Sequence, residues 1–283
     1  MHTEKTILVY GSTGQLGNEI KELQFQYPLF KFVFFSRSEL SITDQEKVKK
    51  SFAEYEPDYV INAAAYTLVD KAEEEKHLAH DINATAMATL AELCKTTNTK
   101  LIHISTDYVF DGTSKHPLKE SDPVNPVNEY GRSKLSGEQL CTQNNPDVII
   151  IRTSWLYSHT GKNFVKTMIR LMNERESINV VNDQIGSPTN AADLANTILH
   201  IISSDKWMPG IYHFSNAGTI SWYEFALEIK KLINSNCIIN PISSDQFPTP
   251  AKRPQFSVMN KEKIETTYGI CLLYTSPSPR DRG

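Results

Sequence analysis

The chain has 283 residues, of which 40% are hydrophobic and 22% are charged, and its formal net charge is −4. This is an ordinary globular composition, and the length suits one large α/β domain or two coupled ones. The mild acidity and the lack of a Lys/Arg cluster argue against a nucleic-acid partner, and because no apolar run reaches transmembrane length we expect no membrane partner.

The first half of the chain alternates strand patterns with helix patterns. Short apolar runs predict five strands, which are "TILVYG", "KFVFFSR", "PDYVINAAA", "KLIHIST" and "DVIIIRTSWLY". Amphipathic segments lie between them, including a long helical stretch over residues 70–97 and a helix over residues 130–144. Buried strands that alternate with helices predict an α/β fold with a doubly wound parallel sheet, which is Rossmann-like.

After the fifth strand the pattern changes to three further helices, a short strand and a Pro-rich extended segment. We expect residues 1–157 to form the main domain, and residues 188–215 to return to it. Residues 158–187 and 216–270 are predicted to form a smaller, discontinuous C-terminal lobe.

The last residues, 271–283, abandon the preceding pattern and contain two Ser-Pro pairs. The string "CLLYTSPSPRDRG" resembles the translation of a transposase adapter used in sequencing libraries. We therefore expect a non-native tail in place of the natural C-terminus, with a disordered natural terminus as the alternative. These residues are left out of the predictions of fold and site.

A glycine-rich turn follows the first predicted strand and opens a helix. The segment "YGSTGQLGNE" places Gly11, Gly14 and Gly17 in a GxxGxxG pattern. Between a strand and a helix, this pattern predicts a dinucleotide site, with phosphates drawn to the helix N-terminus. Gly11 permits the tight turn, Gly14 lets a pyrophosphate approach the main chain, and Gly17 lets the helix pack closely.

The residues after the second and third strands indicate which dinucleotide binds. Arg37 stands where an NAD-binding site usually has an acid, and a guanidinium suits a 2′-phosphate. We therefore favour NADPH, with NADH as the alternative because Glu39 is nearby. The third strand ends in Ala63, Ala64 and Ala65, small residues that let a cofactor lie close or that simply pack a helix on the sheet.

A Tyr and a Lys lie four residues apart in "EYGRSKLSGE". On a helix, Tyr130 and Lys134 share one face. An ammonium near a phenol favours the phenolate, so we expect Lys134 to bring the pKa of Tyr130 down from its usual value near 10. An isolated YxxxK is more often an ordinary surface helix, so the remaining motifs decide its meaning.

Together these motifs resemble the extended short-chain dehydrogenase/reductase superfamily. "STDYVFDGT", "YGRSKLSGE", "VNDQIGSPT" and "PTPAKRPQFSVM" are similar to the dTDP-4-dehydrorhamnose reductase family, and such segments run from residue 11 to about residue 259. The resemblance implies an NADPH-dependent reduction of the C4 ketone of dTDP-4-dehydro-β-L-rhamnose. The product, dTDP-β-L-rhamnose, is an activated sugar for surface polysaccharides such as lipopolysaccharide O-antigen.

The resemblance also implies the roles of individual residues. The catalytic set is Thr106, Tyr130 and Lys134. The cofactor-binding set is Gly11, Gly14, Gln15, Leu16, Gly17, Arg37, Ala63, Ala64, Ala65, Tyr130 and Lys134. The substrate-binding set is Thr106, Asp107, Tyr108 and Trp155, whose ring would cover the sugar. One departure is Ser41, where the family usually has an Asp that helps to bind the adenine end of the cofactor.

Two alternatives stay open. One is a non-catalytic NADP-binding regulatory subunit, and the other is a related reductase or epimerase for another nucleotide sugar. Some members of the family bind magnesium through glutamates at a dimer interface. This leaves a homodimer open for this chain, and the sequence alone does not assign the magnesium-binding positions.

The sequence also allows predictions of metal binding and of cellular location. His77 and His80 lie beside residues 73–75 on what we expect to be a solvated charged face, so we predict no catalytic metal. The four cysteines form no CxxC pair, and because a strand pattern starts close to Met1 we expect no signal peptide. We therefore expect neither a disulfide framework nor a zinc site, and a cytoplasmic protein.

Overall fold

The computed structural model describes residues 4–204 and 206–271, and the other part of the predicted tail lies outside the described residues. The strands are β1 (Lys5–Tyr10), β2 (Phe30–Phe35), β3 (Tyr59–Asn62), β4 (Lys100–Thr106), β5 (Ile149–Thr153), β6 (Leu156–Tyr157), β7 (Ser177–Val181), β8 (Ile185–Gly186), β9 (Thr189–Asn190), β10 (Gly210–Phe214), β11 (Ile220–Ser221) and β12 (Ile238–Ile242). The α-helices are α1 (Gln15–Leu23), α2 (Gln45–Tyr55), α3 (Lys76–His80), α4 (Ala86–Thr96), α5 (Glu129–Asn144), α6 (Phe164–Glu174), α7 (Ala191–Ser203), α8 (Trp222–Leu232) and α9 (Glu262–Tyr268).

Six strands form a central sheet in the order β10-β5-β4-β3-β1-β2, and every pair is parallel. Helices cover both faces, so the predicted doubly wound parallel sheet is confirmed. The strand order changes direction at β1, because β2 lies on one side of it and β3 on the other. In such sheets the crevice beyond the carboxyl ends of the strands at this switch point binds ligands.

Buried apolar residues form a separate core on each face of the sheet. Leu90 of α4 and Cys141 of α5 belong to the core on one face, and Ile198 of α7 belongs to the core on the other. Ile264 and Tyr268 of α9 also lie in the second core. Helix α9 therefore packs on the central sheet, whereas the sequence prediction assigned residues 216–270 to the small lobe.

The small lobe has its own core between two helices and a two-stranded parallel sheet of β7 and β12. Met168 and Met172 of α6 pack there with Phe225 and Ile229 of α8. Helix α8 starts with the capping box that the S-x-x-E pattern predicts, since the Ser221 and Glu224 side chains each accept a hydrogen bond from the main chain of the other.

The helical stretch predicted over residues 70–97 is broken into shorter pieces. A π-turn over Asp81–Thr85 joins α3 to α4. The buried Asn83 side chain accepts from the amide of Tyr66 at 2.8 Å and donates to Ser133 Oγ at 2.9 Å. These long-range hydrogen bonds fix Asn83 at the π-turn, and a single helical period in the sequence does not reveal them. Of the helices that the structure describes, none has the length and apolar character that crossing a membrane requires.

Candidate active site

The glycine turn lies at the end of β1 and starts α1. Gly11 has a φ of +84°, which glycine adopts at little cost. A side chain there would collide with the main chain at the end of β3, because a Cβ on Gly11 would lie 2.6 Å from the amide nitrogen of Ala64. The amides of Gly11 and Ser12 donate to the carbonyl of Phe35 at 3.0 and 3.1 Å. The turn is therefore fixed to the ends of two neighbouring strands, at the switch point.

The arrangement of the other two glycines fits a phosphate group. A Cβ on Gly14 would meet only the Gly11 carbonyl, at 3.2 Å, so space remains around this main chain. Helix α1 begins one residue later and has no side-chain cap, which leaves its first amides for an anion. A Cβ on Gly17 would clash with the Gly11 carbonyl, so this glycine allows α1 to pack on the turn itself.

Gln15 and Leu16 also belong to the predicted cofactor set, but their side chains contact other parts of the protein. Leu16 is buried in the core beneath α1. Gln15 donates to the carbonyl of Leu156 at 3.3 Å, and its Oε1 accepts from Ser158 and Asn163 at 3.0 and 2.8 Å. Gln15 therefore connects the glycine turn to the segment that leads into the small lobe.

The end of β2 carries the residues that bear on cofactor choice. Arg37 is exposed, and in the described part of the chain its guanidinium has no hydrogen bond or ion pair. The carboxylate of Glu39 accepts from the amide and the hydroxyl of Ser36 at 2.8 and 2.6 Å, and these bonds lower its pKa. Ser41 bonds to the hydroxyl of Thr43 at 2.8 Å. The Glu39 carboxylate is thus hydrogen-bonded within its own turn, whereas the Arg37 side chain is exposed to solvent.

The predicted catalytic residues meet where β4 ends and α5 begins. The side chain of Thr106, which ends β4, lies beside the hydroxyl of Tyr130 and acts to lower its pKa. The ring of Tyr108 meets the ring of Tyr130 edge to face, with centroids 5.5 Å apart. A Cβ on Gly131 would clash with the carbonyl of Tyr108, so Gly131 lets α5 approach the β4 end this closely. The glycine directly after Tyr130 in "YG" is the signal of this contact in the sequence.

The pKa of Tyr130 moves in the direction opposite to the one that we expected. Burial raises it to about 12 and the Asp107 carboxylate adds to the rise, while the Thr106 side chain opposes it. The Nζ of Lys134 donates to the carbonyl of Ile104 at 2.7 Å. Burial lowers the pKa of Lys134 to about 8, with the nearby Glu138 opposing this shift.

A buried polar chain that the sequence analysis missed links Lys134 to the end of β3. The amide of Ala64 donates to Asn62 Oδ1 at 3.1 Å, which orients the Asn62 side chain. Asn62 Nδ2 then faces His103 Nδ1 at 3.0 Å, and His103 Nε2 lies 3.4 Å from Lys134 Nζ. The signal in the sequence was a His inside the apolar strand "KLIHIST", because a buried His needs polar partners.

Asp107 is almost fully buried, with 2% of its surface exposed. Its Oδ1 accepts from the Thr106 hydroxyl at 3.0 Å, whereas its Oδ2 has no hydrogen-bond partner among the described residues. Burial raises the pKa of this carboxyl to about 6. An unpaired buried oxygen is costly for the fold, so a hydrogen-bond donor that reached it would stabilise the site.

A large cavity opens between the main sheet and the small lobe. Its volume is about 1140 Å³, and Tyr108 contributes to its wall from the main sheet. Arg175, Lys252 and Arg253 bring positive charge to the wall. Arg253 forks onto the Asp70 carboxylate, with distances of 3.0 and 2.8 Å. Asp111 and Asp245 also line the cavity, so its wall carries both signs of charge. The cavity has the size for a nucleotide-sized ligand, and its cations can pair with an anionic group.

Trp155 lies on the small-lobe side of the site and does not line this cavity. Its ring stacks on Trp222, with centroids 3.5 Å apart and planes 9° from parallel. Trp222 is among the residues that line the cavity. The structure therefore brings Thr106, Asp107 and Tyr108 next to Tyr130, but it gives Trp155 a packing partner where the sequence analysis expected a sugar.

One further cluster has metal-ligand character. Glu19 and Glu22 of α1 lie with His159 so that one ligand atom of each is within 4.8 Å of the others. His159 Nδ1 is 3.2 Å from the Glu19 carboxylate, and Nε2 is 3.1 Å from that of Glu22. The imidazole thus already bridges the two carboxylates. His77 and His80, the histidines that the sequence places beside acidic residues, are not part of this cluster.

Comparison with known proteins identifies the family. Residues 5–275 match the family model of the RmlD substrate binding domain. The chain is 39% identical over 274 residues to a dTDP-4-dehydrorhamnose reductase of Aggregatibacter actinomycetemcomitans, and the match covers 93% of each protein. It is 38% identical over 277 residues to the reductase of the same name from Salmonella typhimurium, covering 94% of this chain and 93% of that protein.

Comparison with solved structures identifies the same family. The crystal structure of dTDP-4-dehydrorhamnose reductase from Bacillus anthracis in complex with NADP matches with a TM-score of 0.91 and 39% identity, over 96% of this chain and 95% of that one. The corresponding structure from Clostridium acetobutylicum gives 0.91 and 41%, over 95% of both chains. The chain therefore belongs to the dTDP-4-dehydrorhamnose reductase family, as its motifs predicted.

Proposed function

We propose that the protein uses NADPH to reduce the C4 ketone of dTDP-4-dehydro-β-L-rhamnose to dTDP-β-L-rhamnose. The reaction belongs to dTDP-rhamnose biosynthesis and supplies surface polysaccharides such as O-antigen. The observation that carries the proposal is the contact of Tyr130 with Tyr108, which lines a large cavity between the main sheet and the small lobe. Membership of the family and the NADP complex of the Bacillus anthracis relative support it.

The cofactor-binding residues that we propose lie along the switch point and its two flanks. They are Gly11, Gly14, Gln15, Leu16, Gly17, Arg37, Ala63, Ala64, Ala65, Tyr130 and Lys134. Leu16 takes part through its main chain, because its side chain is in the core. Arg37 is exposed and meets the 2′-phosphate, which favours NADPH over NADH. NADPH, when bound, supplies the hydride.

The chain's own residues handle the proton and the developing charge. Hydride addition to a ketone builds negative charge on its oxygen, and donors aimed at that oxygen stabilise the transition state. Tyr130 is the proton donor, and because its pKa is about 12 the phenol is protonated at neutral pH. Thr106 hydrogen-bonds the same oxygen. Lys134 carries a positive charge below about pH 8 and stabilises the phenolate that Tyr130 becomes.

The nucleotide sugar occupies the cavity between the main sheet and the small lobe. Arg175 and Lys252 are exposed cations in its wall and suit the diphosphate of the substrate. The unpaired Oδ2 of Asp107 accepts a hydroxyl of the sugar, and the neighbouring Tyr108 forms the wall between the cavity and Tyr130.

The organisation of the protein follows from this arrangement. We propose that residues 1–157 and 188–215 bind the cofactor, and that residues 158–187 and 216–245 bind the substrate together with the segment 246–255. A homodimer and a cytoplasmic location are also part of the proposal. Both fit an enzyme that takes nucleotide-linked sugars from a cytoplasmic pool.

The proposal is tested by following NADPH oxidation with purified protein and dTDP-4-dehydrorhamnose. We expect turnover and a product that has gained two hydrogens by mass. dTDP-glucose, which has no C4 ketone, is the matched control and should give no oxidation. If the protein binds NADPH but does not oxidise it with either sugar, the regulatory-subunit alternative replaces the proposed enzyme.

A further inference from the structure

We propose that His103 is a positioning residue for Lys134, because its imidazole presents an N–H group to the ε-amino nitrogen and thereby favours the uncharged amine. This inference deepens the proposed function and rests on it, since Lys134 is the residue proposed to stabilise the phenolate that Tyr130 becomes. It gives a role to a fully buried histidine in the middle of β4, the strand that ends at Thr106.

The side-chain amide of Asn62 has one orientation that satisfies all its neighbours. The main-chain amide of Ala64 donates to Asn62 Oδ1 at 3.1 Å, so the oxygen lies on that side. Asn62 Nδ2 then lies 2.9 Å from the sulfur of Met87 and 3.0 Å from His103 Nδ1. An amide nitrogen carries two hydrogens and accepts none, so it donates to both atoms. With oxygen and nitrogen exchanged, the Ala64 amide would face another N–H group.

This orientation decides which nitrogen of His103 carries the proton. Burial lowers the pKa of His103 well below its ordinary value, so the ring is uncharged at neutral pH. An uncharged imidazole has one N–H and one acceptor nitrogen. Because Nδ1 accepts from Asn62, the hydrogen is on Nε2. That Nε2–H group faces Lys134 Nζ across 3.4 Å.

The N–H group of His103 distinguishes the two protonation states of Lys134. An ammonium has three hydrogens and no lone pair, so it cannot accept this N–H. An uncharged amine offers its lone pair to His103 and still donates to the carbonyl of Ile104 at 2.7 Å. The contact therefore favours the amine, in the same direction as the burial that lowers the pKa of Lys134. It also holds Nζ between two fixed groups of β4.

The groups that meet Lys134 from the helices act in the opposite direction. Glu138 and Cys141, both of α5, raise the pKa of Lys134. Glu138 is paired with Arg152 of β5 at 2.7 Å, which weakens its pull on the ammonium, and Cys94 of α4 interacts with Cys141. The strand side of Lys134 thus opposes its charged form, whereas the helix side supports it.

The titration of Lys134 tests the inference without turnover. The ¹³C NMR signal of its Cε follows the proton on Nζ, and Lys134→Arg identifies that signal by removing it. We expect a midpoint near pH 8 in the wild type. His103→Phe keeps a ring in β4 but removes the N–H group, so the midpoint should rise by about one pH unit, and the alkaline fall of kcat/KM should move with it.

A second buried histidine provides the matched control. His213 is as completely buried as His103, but its ring nitrogens face the carbonyl of Leu118 and the guanidinium of Arg152. In His213→Phe the midpoint of Lys134 should stay where it is in the wild type. An unchanged midpoint in His103→Phe, or an equal rise in both variants, would overturn the inference.

The position of the proton on His103 is a separate readout. The ¹⁵N chemical shift distinguishes a protonated ring nitrogen from an unprotonated one, and we expect the proton on Nε2. Asn62→Asp keeps an acceptor for the Ala64 amide but presents a carboxylate to Nδ1, so the proton should move to Nδ1 and the midpoint of Lys134 should rise. A wild-type proton on Nδ1 contradicts the inference. An inactive wild type with the expected proton position and midpoint would instead contradict the proposed reaction alone.

Discussion

Lys134 lies one helical turn after the proposed proton donor Tyr130, and its Nζ donates a 2.7 Å hydrogen bond to the main-chain carbonyl of Ile104. This bond joins α5 to β4 and places the ammonium in a buried position, where its charged form is disfavoured. Burial accordingly lowers the pKa of Lys134 to about 8, against the opposing influence of Glu138 and Cys141. The site therefore contains a cation that titrates close to physiological pH.

The first prediction concerns this titration. Lys134 is charged below about pH 8 and loses its proton as the pH rises, so kcat/KM for NADPH should fall on the alkaline side with a midpoint near 8. In Lys134→Arg the charge persists at all accessible pH values, so the fall should move to higher pH even if the maximal rate is lower. A pH profile of both proteins checks this. An alkaline fall at the same pH in both would assign it to another group.

The second prediction concerns the phenol. Tyr130→Phe removes the proposed proton donor and keeps the ring that packs against Tyr108. We expect kcat to fall by about 10²- to 10⁴-fold, the usual contribution of general acid catalysis, with NADPH binding retained. Steady-state kinetics and NADPH titration measure the two quantities. Tyr223→Phe, in the small lobe, is the control, and equal turnover in the two variants would remove Tyr130 from its role.

The third prediction concerns cofactor choice. Arg37→Ala should weaken NADPH binding about tenfold to a hundredfold, since hydrogen bonds to charged groups contribute about 1.5–3 kcal/mol. NADH binding should change little, because NADH lacks the 2′-phosphate. Lys31→Ala removes an exposed positive charge from β2 and is the matched control. Equal losses for the two cofactors in Arg37→Ala would reject the assignment of the 2′-phosphate to this residue.

The fourth prediction concerns Asp107 and stability. Its pKa is raised to about 6 from an ordinary value of 3.8, so the folded protein binds this proton more tightly than the unfolded chain. The contribution of this protonated carboxyl to the free energy of unfolding is therefore lost as the pH rises from about 4 to about 6. Asp107→Asn resembles the protonated form and should increase the free energy of unfolding at pH 7 by about 3 kcal/mol. Activity should fall, because the substrate contact is lost.

Denaturant unfolding of Asp107→Asn and wild type at two pH values provides the internal control. At pH 4 the wild-type carboxyl is largely protonated, so the difference between the two proteins should nearly disappear. A variant that is less stable than wild type at pH 7 would show that the charged carboxylate is stabilised in the fold, contrary to this prediction.

The sequence by itself determined the sheet and the existence of the cofactor turn. Apolar runs separated by amphipathic segments predict parallel strands covered by helices, because strands that are apolar on both faces need helices to bury them. Gly11 and Gly17 are needed by the local geometry of a strand-turn-helix unit, so their spacing is visible in the sequence. The four-residue spacing of Tyr130 and Lys134 likewise fixes that they share a helix face.

Only the tertiary structure decided what lies opposite each of these residues. Three contacts join segments that are distant in sequence: Lys134 with the carbonyl of Ile104, His103 with Lys134, and Trp155 with Trp222. The lack of a partner for Asp107 Oδ2 likewise depends on the tertiary structure. Helical period and strand alternation specify the direction of a side chain relative to its own element. They do not specify which atoms of another element it meets, and those atoms set its burial, its pKa and its access to a ligand.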